Sequence, residues 1–533
     1  RLPAARGKLG RSYLAQCFRR VPVGELERDE PANWAAMLAG QLTFLERRAP
    51  GEMLMRVFNP TVAEDGWESP HTLVELVNDD RPFLVDSAVL ALSELEIGIH
   101  LVIHPVVRVE RDGKGRLREV LDKKKAAGMR ESVIQLQIDR TTDPEAISRI
   151  KQSLAAAMRD ARAAVEDWKR MERSVADAVK RMPEWAPGVK KEWMHECRAF
   201  LRWLLDDHFI FLGVRDYRFT GAGARERLER VAGSGLGILR DEARGEASRP
   251  ASSLAPAARR LSQKRPLIIT KTNARSTVHR AGYLDYIGVL KIDKNGRTIG
   301  ERRFLGLFTS TAYVEDAMQT PMVRVRARNI MRGSGLVEGS HAWKSMVHIL
   351  QTLPRDELLQ ASTEQLRDIA EGVLSLQERK LVRLFIRRER YGRFHSCLVY
   401  LPREQFNTEN REKIQQILLS ALDGERLDYT VNVSESRLAR LQVLIRPRSN
   451  EEIDFDVDAL EREITAAVRS WRDELREILI EKHGEASVLF DLPSASRTGD
   501  RTAVVPQIPG SRGEWPHPER SSRDWNAGTW LDR

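Results

Sequence analysis

The sequence predicts a multidomain α+β protein, and three observations support this prediction. Its 533 residues exceed the usual size of one domain, so three or four units are expected. The order strand, helix, strand, strand, helix occurs over residues 71–170 and returns over 394–480, which is typical of helices packed on one face of a largely antiparallel sheet. Hydrophobic residues make up 41% of the chain, enough for several cores.

Charge and cysteine content exclude several classes of function. Lys and Arg total 87 against 77 Asp and Glu, and the basic stretch 225–265 interleaves acids and lacks aromatic stacking residues, so no nucleic-acid partner is predicted. No apolar run reaches eighteen residues, which argues against a membrane span. Three distant cysteines indicate a reducing compartment, so the predicted location is the cytoplasm.

The first predicted unit follows an N-terminal helical segment over residues 1–50. "HTLVELV" (71–77) is predicted as a strand because β-branched and long apolar residues fill a short run. Apolar spacing of three and four from Pro82 predicts a helix that ends near Gly98 as its C-cap. Extended stretches follow on both sides of a "DGKG" turn, before a long helix with Asp143 as its N-cap.

The middle of the chain is predicted to contain a β-meander packed on helices. "FIFLGVRDYRF", "PLIITKT", "YLDYIGVLKID" and "RTIGERRFLGLFTS" have strand character, with "KNG" as a hairpin turn. Residues 220–266 lack periodicity and are predicted to form a flexible surface insertion. Helical spacing then predicts helices over 340–390, the second of which opens on a Ser/Thr-x-x-Gln cap.

The second unit repeats the order of the first and is followed by a different kind of sequence. "RFHSCLVYLP" predicts a strand, the next helix is predicted to have Thr408 at its cap, and two strands and a closing helix follow. Residues 489–533 lose all periodicity while Pro, Ser, Gly and Trp increase. This segment is predicted to be a disordered tail or an out-of-frame ending.

Searches for catalytic, nucleotide and metal motifs give no site. "GSGLGIL" (233–239) has the wrong third position for a dinucleotide loop, and "RGSGLVEGSH" (332–341) lacks the Lys-Ser/Thr pair of a phosphate loop. His100 and His104 share one face of a strand, but no neighbouring residue completes a ligand set. We therefore predict no catalytic, cofactor-binding or metal-binding residue in this chain.

One charged turn remains as a candidate site, and two interpretations of it stay open. Asp80 could cap the following helix, with Pro82 in the first turn and a carboxylate favoured by the helix dipole. The same helix N-terminus could instead hold the carboxylate of a small regulatory ligand. The candidate residues are Asn78, Asp79, Asp80, Arg81, Pro82 and Phe83.

Four ordered stretches carry a family resemblance over roughly residues 20–488. "LVELVNDDRPFLVDSAVLALSELEIGIHLVIHPV" resembles the first ACT-like module of the large bacterial NAD-specific glutamate dehydrogenases. The other stretches are similar to the same family in the same order. They are "LRWLLDDHFIFLGVRDYRF", "PLIITKTNARSTVHRAGYLDYIGV" and "CLVYLPREQFNTENREKIQQIL".

The resemblance implies a regulatory and assembly region built from ACT-like modules with a ferredoxin-like βαββα fold. In that family a separate C-terminal domain holds the Rossmann fold, the substrate lysine and the NAD site, so this chain is expected to be a fragment without cofactor and without activity of its own. Its expected partners are further copies of itself, the missing dehydrogenase domain and an amino-acid effector. ACT turns commonly have Asp-Arg-Pro-Gly, and Phe83 in place of Gly favours packing or a subunit interface over ligand binding.

Two alternative functions are kept for testing. The chain could be a free-standing ACT-type module that senses an amino acid or binds a protein, or a nucleic-acid-binding protein that is retained on DNA or RNA at physiological salt. The predicted boundaries assign 1–50 to the N-terminal helices, 51–170 to the first ACT-like domain and 171–335 to the middle domain. The remaining ranges are 336–390 for a helical connector, 391–488 for the second ACT-like domain and 489–533 for the tail.

Overall fold

The computed structural model of the protein contains antiparallel sheets separated by layers of helices. It describes residues 4–27, 29–121, 128–221, 225–241, 248–250, 266–376, 381–433, 437–449 and 453–469. These residues belong to the first of two units, Arg1–Arg469, while the predicted tail lies outside the described residues. The prediction of an α+β protein is confirmed at this level.

The described helices and strands are numbered in chain order. The helices are α1 Ala4–Cys17, α2 Val23–Leu26, α3 Pro31–Phe44, α4 Val62–Asp65, α5 Leu84–Ser93, α6 Pro144–Trp185, α7 Lys191–Trp203, α8 Ser310–Val314, α9 Val323–Gly333, α10 His341–Thr352, α11 Arg355–Gln360, α12 Thr363–Leu376, α13 Thr408–Ala421 and α14 Val457–Ala467. The strands are β1 Leu54–Phe58, β2 Thr72–Asp79, β3 Ile99–Ile103, β4 Val106–Arg111, β5 Leu117–Leu121, β6 Met129–Ile138, β7 Phe209–Thr220, β8 Arg227–Arg230, β9 Leu236–Gly237, β10 Ser248–Pro250, β11 Leu267–Arg275, β12 Tyr283–Ile292, β13 Thr298–Phe308, β14 Arg383–Arg388, β15 His395–Pro402, β16 Gly424–Val433 and β17 Leu438–Pro447.

The first and third sheets share one strand arrangement. The first has the order β1-β2-β6-β4-β5, and β3 lies beside β4 along the same edge of β6. The third has the order β14-β15-β17-β16. In each sheet an edge strand that comes first in the chain pairs with the next strand, which in turn pairs with the last. The repeat predicted from the sequence is therefore present, and so is the hairpin predicted at the "DGKG" turn, which is β4–β5. The edge strands β1 and β14 were not predicted.

The middle sheet consists of β7 to β13 in the order β10-β8-β7-β13-β12-β11, with β9 paired to β7. The four long predicted strands are all found. Part of the predicted insertion 220–266 is also regular, because β8 and β10 extend this sheet and β9 forms a bridge to β7. The prediction of an unstructured insertion is therefore wrong for these strands. Residues 222–224, 242–247 and 251–265 lie outside the described part.

Helix α6 connects the first unit to the middle of the protein. Asp143 is its N-cap, as predicted, and accepts hydrogen bonds from the backbone N–H groups of Glu145 at 2.9 Å and Ala146 at 3.2 Å. Its 42 residues correspond to about 63 Å of helix. Residues Ile150 to Ala164 pack in the core beside α5, whereas Met171 to Trp185 pack in the next core. The helix therefore continues past the boundary predicted at residue 170.

The cores alternate with the sheets through the described residues. The N-terminal helices cover one face of the first sheet, while α5 and the first half of α6 lie between that sheet and the middle sheet. The helices α7 to α12 lie between the middle sheet and the third sheet. Helices α13 and α14 cover the remaining face of the third sheet. Each sheet is thus held on both faces by apolar packing.

Three local predictions need correction. The helix predicted over residues 362–386 is described as far as Leu376, and residues 383–386 belong to β14, because the apolar run around Leu384 packs in the third sheet. Asn407, not Thr408, caps α13 by accepting from Asn410 N at 2.8 Å. Gly98 is not a C-cap. Its N–H donates to Asp139 Oδ2 at 2.6 Å, and a Cβ there would lie 2.7 Å from that oxygen.

The capping box predicted at the start of α12 is confirmed. Ser362 Oγ accepts from Gln365 N at 3.2 Å, and Ser362 N donates to Gln365 Oε1 at 2.9 Å. The closing helix begins at Val457 as α14 and is described as far as Ala467. Through the described ranges no helix combines the length and apolar character that crossing a membrane requires.

Candidate functional site

The candidate turn, residues 78–83, lies between β2 and α5, but it does not cap the helix as predicted. The N-cap is Phe83, which makes no side-chain capping hydrogen bond, and the helix begins at Leu84. Asp80 remains tied to the sheet instead. Its N–H donates to Arg130 O at 3.0 Å, and its carboxylate lies 2.5 Å from Arg130 Nη2. Asp80 is therefore not a capping residue, and Pro82 precedes the helix.

Asp79 belongs to a buried network of ion pairs. Its Oδ1 accepts from Arg48 Nη2 at 2.5 Å, and Arg48 Nη1 donates to Glu131 Oε1 at 2.8 Å. Arg111 donates to both carboxylate oxygens of Glu131 at 2.7 and 2.8 Å. The Arg48 and Glu131 side chains are 1% and 0% exposed. The positive charges of the two arginines therefore balance the negative charges of Asp79 and Glu131.

Burial raises the pKa of Asp79, but the hydrogen bond and charge of Arg48, together with the charge of Arg81, outweigh it and hold the pKa below its ordinary value. Asp79 is consequently an ionised structural acid that joins β2 to the end of the N-terminal helical segment. A general base would need a higher pKa and an open approach to substrate.

The remaining polar residues of the turn face α6. Arg81 Nη2 lies 3.4 Å from Glu166 Oε1 and 3.8 Å from Asp79 Oδ2. Asn78 Nδ2 lies 3.9 Å from the sulfur of Met158, a weak contact. Glu166 also accepts from Arg162, its neighbour one helical turn earlier, at 2.8 Å. The turn is thereby attached to the helix that continues into the middle of the protein.

Phe83 has a left-handed backbone conformation, with φ of 71°. A non-glycine residue there costs roughly 1–2 kcal/mol, which explains why ACT turns commonly use Gly. The Phe83 ring lies 5.1 Å from the ring of His279, measured between centroids, and packs against the core beside α5. This packing offsets the backbone cost.

A loop from the middle domain covers the start of α5. His279 N donates to Ser87 Oγ at 3.2 Å, and His279 Nδ1 lies 3.3 Å from Asp86 Oδ2. Thr277 Oγ1 donates to Asp160 Oδ2 at 2.6 Å, which holds the same loop against α6. The loop is therefore attached to side chains in the first turn of α5 and to α6.

Residues 233–239, considered above as a nucleotide loop, pack on β7 and α6. Gly237 N donates to Asp167 Oδ2 at 2.9 Å, and Arg240 Nε donates to the same oxygen at 2.9 Å. Gly237 has a φ of 60°, and a Cβ there would lie 2.1 Å from Leu212 O. This glycine permits close packing of the segment on β7 and α6.

The histidines considered as metal ligands have other partners. His100 Nε2 lies 2.8 Å from Asp139 Oδ1, and its ring stacks on His71 with centroids 4.2 Å apart. His104 Nε2 lies 2.9 Å from Ser132 Oγ. Across the residues that the structure describes, no group of three His, Cys, Asp or Glu side chains is arranged to hold a metal ion.

Sequence reasoning missed a buried lysine in the middle sheet. Lys271 Nζ donates to Asp285 Oδ1 at 2.6 Å and lies 3.3 Å from Asp356 Oδ2. Burial lowers the pKa of Lys271, but the two carboxylates outweigh it and raise the pKa above its ordinary value. The amine therefore stays protonated and cannot act as a nucleophile. In the sequence, Lys271 and Asp285 look like exposed charged residues of two strands.

A second buried pair joins the helices to the third sheet. Arg387 on β14 donates to both carboxylate oxygens of Glu357 on α11, at 2.7 and 2.9 Å. Ser396 on β15 also donates to Glu357. Burial raises the pKa of Glu357, but Arg387 and Ser396 outweigh it and lower the pKa. This pair fixes α11 on the third sheet.

Three family models match this chain in the order of the units described above. The glutamate dehydrogenase ACT1 domain matches residues 13–154, the glutamate dehydrogenase helical motif 1 matches 320–379, and the glutamate dehydrogenase ACT2 domain matches 383–472. The ACT2 match begins at the first residue of β14. The helical motif coincides with α9 to α12.

Curated relatives support the same assignment. The NAD-specific glutamate dehydrogenase of Halomonas elongata is 35% identical over 448 residues, which cover 83% of this chain and 28% of that protein. The Pseudomonas aeruginosa protein of the same name is 33% identical over 501 residues, 93% of this chain and 31% of that protein. The Mycobacterium tuberculosis protein of that name is 26% identical over 419 residues, 77% and 24% respectively.

The chain thus spans less than a third of the length of these curated relatives. Among solved structures, a blue-light activated histidine kinase of Erythrobacter litoralis aligns with a TM-score of 0.13 and 13% identity, over 45% of this chain and 96% of that one. A TM-score this low does not indicate a shared fold. From the ordered family matches and these relatives we conclude that the chain belongs to the family of large NAD-specific glutamate dehydrogenases, as the portion that contains the ACT1, helical motif 1 and ACT2 regions.

Proposed function

We propose that this chain is the regulatory and oligomerisation portion of an NAD-dependent glutamate dehydrogenase. The observation that carries the proposal is the ordered match to two ACT domains and a helical motif. The parent enzyme would oxidise L-glutamate with NAD and water to 2-oxoglutarate, ammonium, NADH and a proton. NAD and the reacting groups would be held by the dehydrogenase domain, which acts as partner of this portion in the cytoplasm.

Both ACT units are assigned a ferredoxin-like arrangement in this proposal. The supporting feature is the sheet order, in which β2, α5, β3–β4, β6 and α6 of the first unit correspond to β15, α13, β16, β17 and α14 of the second. In each unit the additional edge strand, β1 or β14, precedes the repeat in the chain. Such units commonly associate through sheet edges and helices.

The candidate turn has a packing role in this proposal. Asp79 binds the N-terminal segment, Asp80 binds β6, Arg81 binds α6, and Phe83 contacts the loop of the middle domain. Four contacts to four different elements make the turn a junction. A shift of α6 would therefore move the first sheet through the contacts of this turn. This coupling needs no amino acid bound at the turn.

Homo-oligomer formation is proposed to use the β16 edge of the third sheet. The opposite edge, β14, is covered by α14, since Leu384 N donates to Glu461 Oε2 at 2.7 Å. On β16, by contrast, Tyr429 and Val433 are 47% and 44% exposed. Backbone groups at an accessible edge favour pairing with a strand of a second copy.

An activity assay and a binding assay together test this proposal. The purified chain with L-glutamate and NAD is expected to form no NADH at 340 nm, and calorimetry with a panel of twenty amino acids is expected to show no saturable binding at the turn. NADH formation by this chain would overturn the assignment. Binding of an amino acid that Phe83→Ala abolishes would favour a free-standing sensing module instead.

A further inference from the structure

A cavity on the first unit is separate from the turn and from every site assigned above. It has a volume of about 380 Å³ and lies where the end of α1 meets the bend between β3 and β4. Gln16, Cys17 and Arg19 line it from the N-terminal side. Gln16 closes one wall, because its side-chain amide donates to Leu121 O at 3.1 Å, at the end of β5.

The opposite wall contains two arginines that face each other across neighbouring strands. Arg108 on β4 is the register partner of Arg130 on β6, so their Cβ atoms are about 4.5–5.5 Å apart. His104 also lines the cavity. The register therefore places two arginines side by side at the wall of the cavity, where their positive charge favours an anion.

The lining contributes positive and neutral groups. None of the eleven described lining residues is Asp or Glu, and three of them are arginines. Burial raises the pKa of Cys17 to about 12, so its thiol adds no negative charge. Gln16 Oε1 is buried without a hydrogen-bond partner among the described residues. A donor group on a ligand would satisfy this oxygen.

One protein carboxylate competes for this wall. Asp80 Oδ2 lies 2.5 Å from Arg130 Nη2, so Asp80 neutralises part of the charge from outside the cavity lining. An anion in the cavity would draw Arg130 away from Asp80. Because Asp80 belongs to the 78–83 turn, occupancy of the cavity would loosen the connection between that turn and β6.

We propose that this cavity binds a small anion with at least two negative charges, of phosphate or dicarboxylate chemistry, held by Arg19, Arg108 and Arg130. Guanidinium groups form paired hydrogen bonds with both kinds of anion. The volume lies within the range of small-ligand sites. The inference does not depend on the proposed function, since a chain that neither assembles nor regulates an enzyme would still bind the anion.

The test is calorimetry of the full chain at low ionic strength with inorganic phosphate, succinate and acetate as separate probes. Phosphate or succinate is expected to bind saturably, and acetate at least tenfold more weakly. The variants Arg108→Gln and Arg130→Gln are each expected to weaken binding about tenfold or more. The matched control is Arg118→Gln, which removes an exposed arginine of the same sheet that pairs with Asp112 outside the cavity.

A further variant separates binding from a structural role of Arg130. Asp80→Asn removes the competing carboxylate and is expected to tighten binding severalfold, whereas loss of a purely structural pair would leave affinity unchanged or lower it. Circular dichroism confirms that each variant is folded. The inference is overturned if neither probe saturates, if the cavity variants bind like the Arg118→Gln control, or if Asp80→Asn fails to tighten binding. Which of phosphate and succinate binds more tightly identifies the ligand class.

Discussion

Substitution of Arg48 by Met provides the most informative perturbation of the candidate site. Arg48 is 1% exposed and pairs with both Asp79 and Glu131, and Glu131 is fully buried. In the variant, Arg111 still binds Glu131, whereas Asp79 keeps Arg81 at 3.8 Å and a backbone hydrogen bond from Gly51. Because Glu131 keeps Arg111 and the Asp79 side chain is 27% exposed, the expected cost is about 1.5–3 kcal/mol, the contribution of a hydrogen bond to a charged group.

Hydrogen exchange measured by mass spectrometry reports this loss of stability peptide by peptide. At about 1.4 kcal/mol per factor of ten, amides of β2 and β6 are expected to exchange roughly 10- to 100-fold faster in Arg48→Met. Peptides from the third sheet should keep their rates. The surface variant Arg118→Gln is expected to change exchange in β2 by less than about fivefold, since exposed ion pairs contribute about 0–1 kcal/mol.

The pH dependence provides a second readout of the same network. The folded pKa of Asp79 is lowered, so its ion pair stabilises the fold above the unfolded pKa, and this contribution is lost as the pH falls through the folded pKa. In Arg48→Met the effect of burial, which raises the pKa of Asp79, is opposed by fewer groups. The wild-type ion pair is lost at low pH, so the difference in exchange rate between wild type and variant should shrink on acidification. Equal β2 protection in the two proteins at neutral pH would refute the structural role of Asp79 and Arg48.

Three further substitutions test other parts of the structure. Phe83→Gly should lower the thermal unfolding midpoint slightly, because loss of the partly buried ring costs about 2–3 kcal/mol and relief of the left-handed backbone returns about 1–2 kcal/mol. A midpoint raised by several degrees would contradict this. Lys271→Met should destabilise the middle sheet by about 3–5 kcal/mol, because Asp285 and Asp356 lose their cation. In denaturant titrations, the additional substitution Asp285→Asn should recover part of this loss. Glu357→Gln should flatten the acid limb of a profile of unfolding free energy between pH 3 and 7. The pKa of Glu357 is lowered in the folded protein, so its ionised form stabilises the fold above the unfolded pKa, and this contribution is lost as the pH falls through the folded pKa. An unchanged limb would argue against the Arg387 pair.

Features determined by nearby residues could be predicted from the sequence. The start of α6 depends on Asp143 and the two N–H groups that follow it, and the box at Ser362 depends on Gln365, three residues away. Both follow from side-chain chemistry within one helical turn. The long strands of the middle sheet were likewise evident from their own composition.

Features determined by distant partners could not be predicted. Asp80 has the composition of a helix cap, but Arg130, fifty positions later, holds it on the sheet. The apolar spacing around Leu384 continues a helical pattern, and only its place beside β15 makes it a strand. Lys271 and Asp285 look exposed in sequence because strand alternation does not show that α11 covers them. Tertiary packing decided each of these cases.

The most direct test of the proposed assembly role is the molar mass of the purified chain by light scattering as its concentration is varied. The chain is expected to reach at least twice its monomer mass of 60.8 kDa. The double variant Tyr429→Lys/Val433→Lys should remain at the monomer mass, because lysines on an edge strand oppose pairing, whereas Val337→Lys, at another exposed valine, should assemble like the wild type. A wild-type chain that stays monomeric at every concentration, or a double variant that assembles normally, would contradict the account.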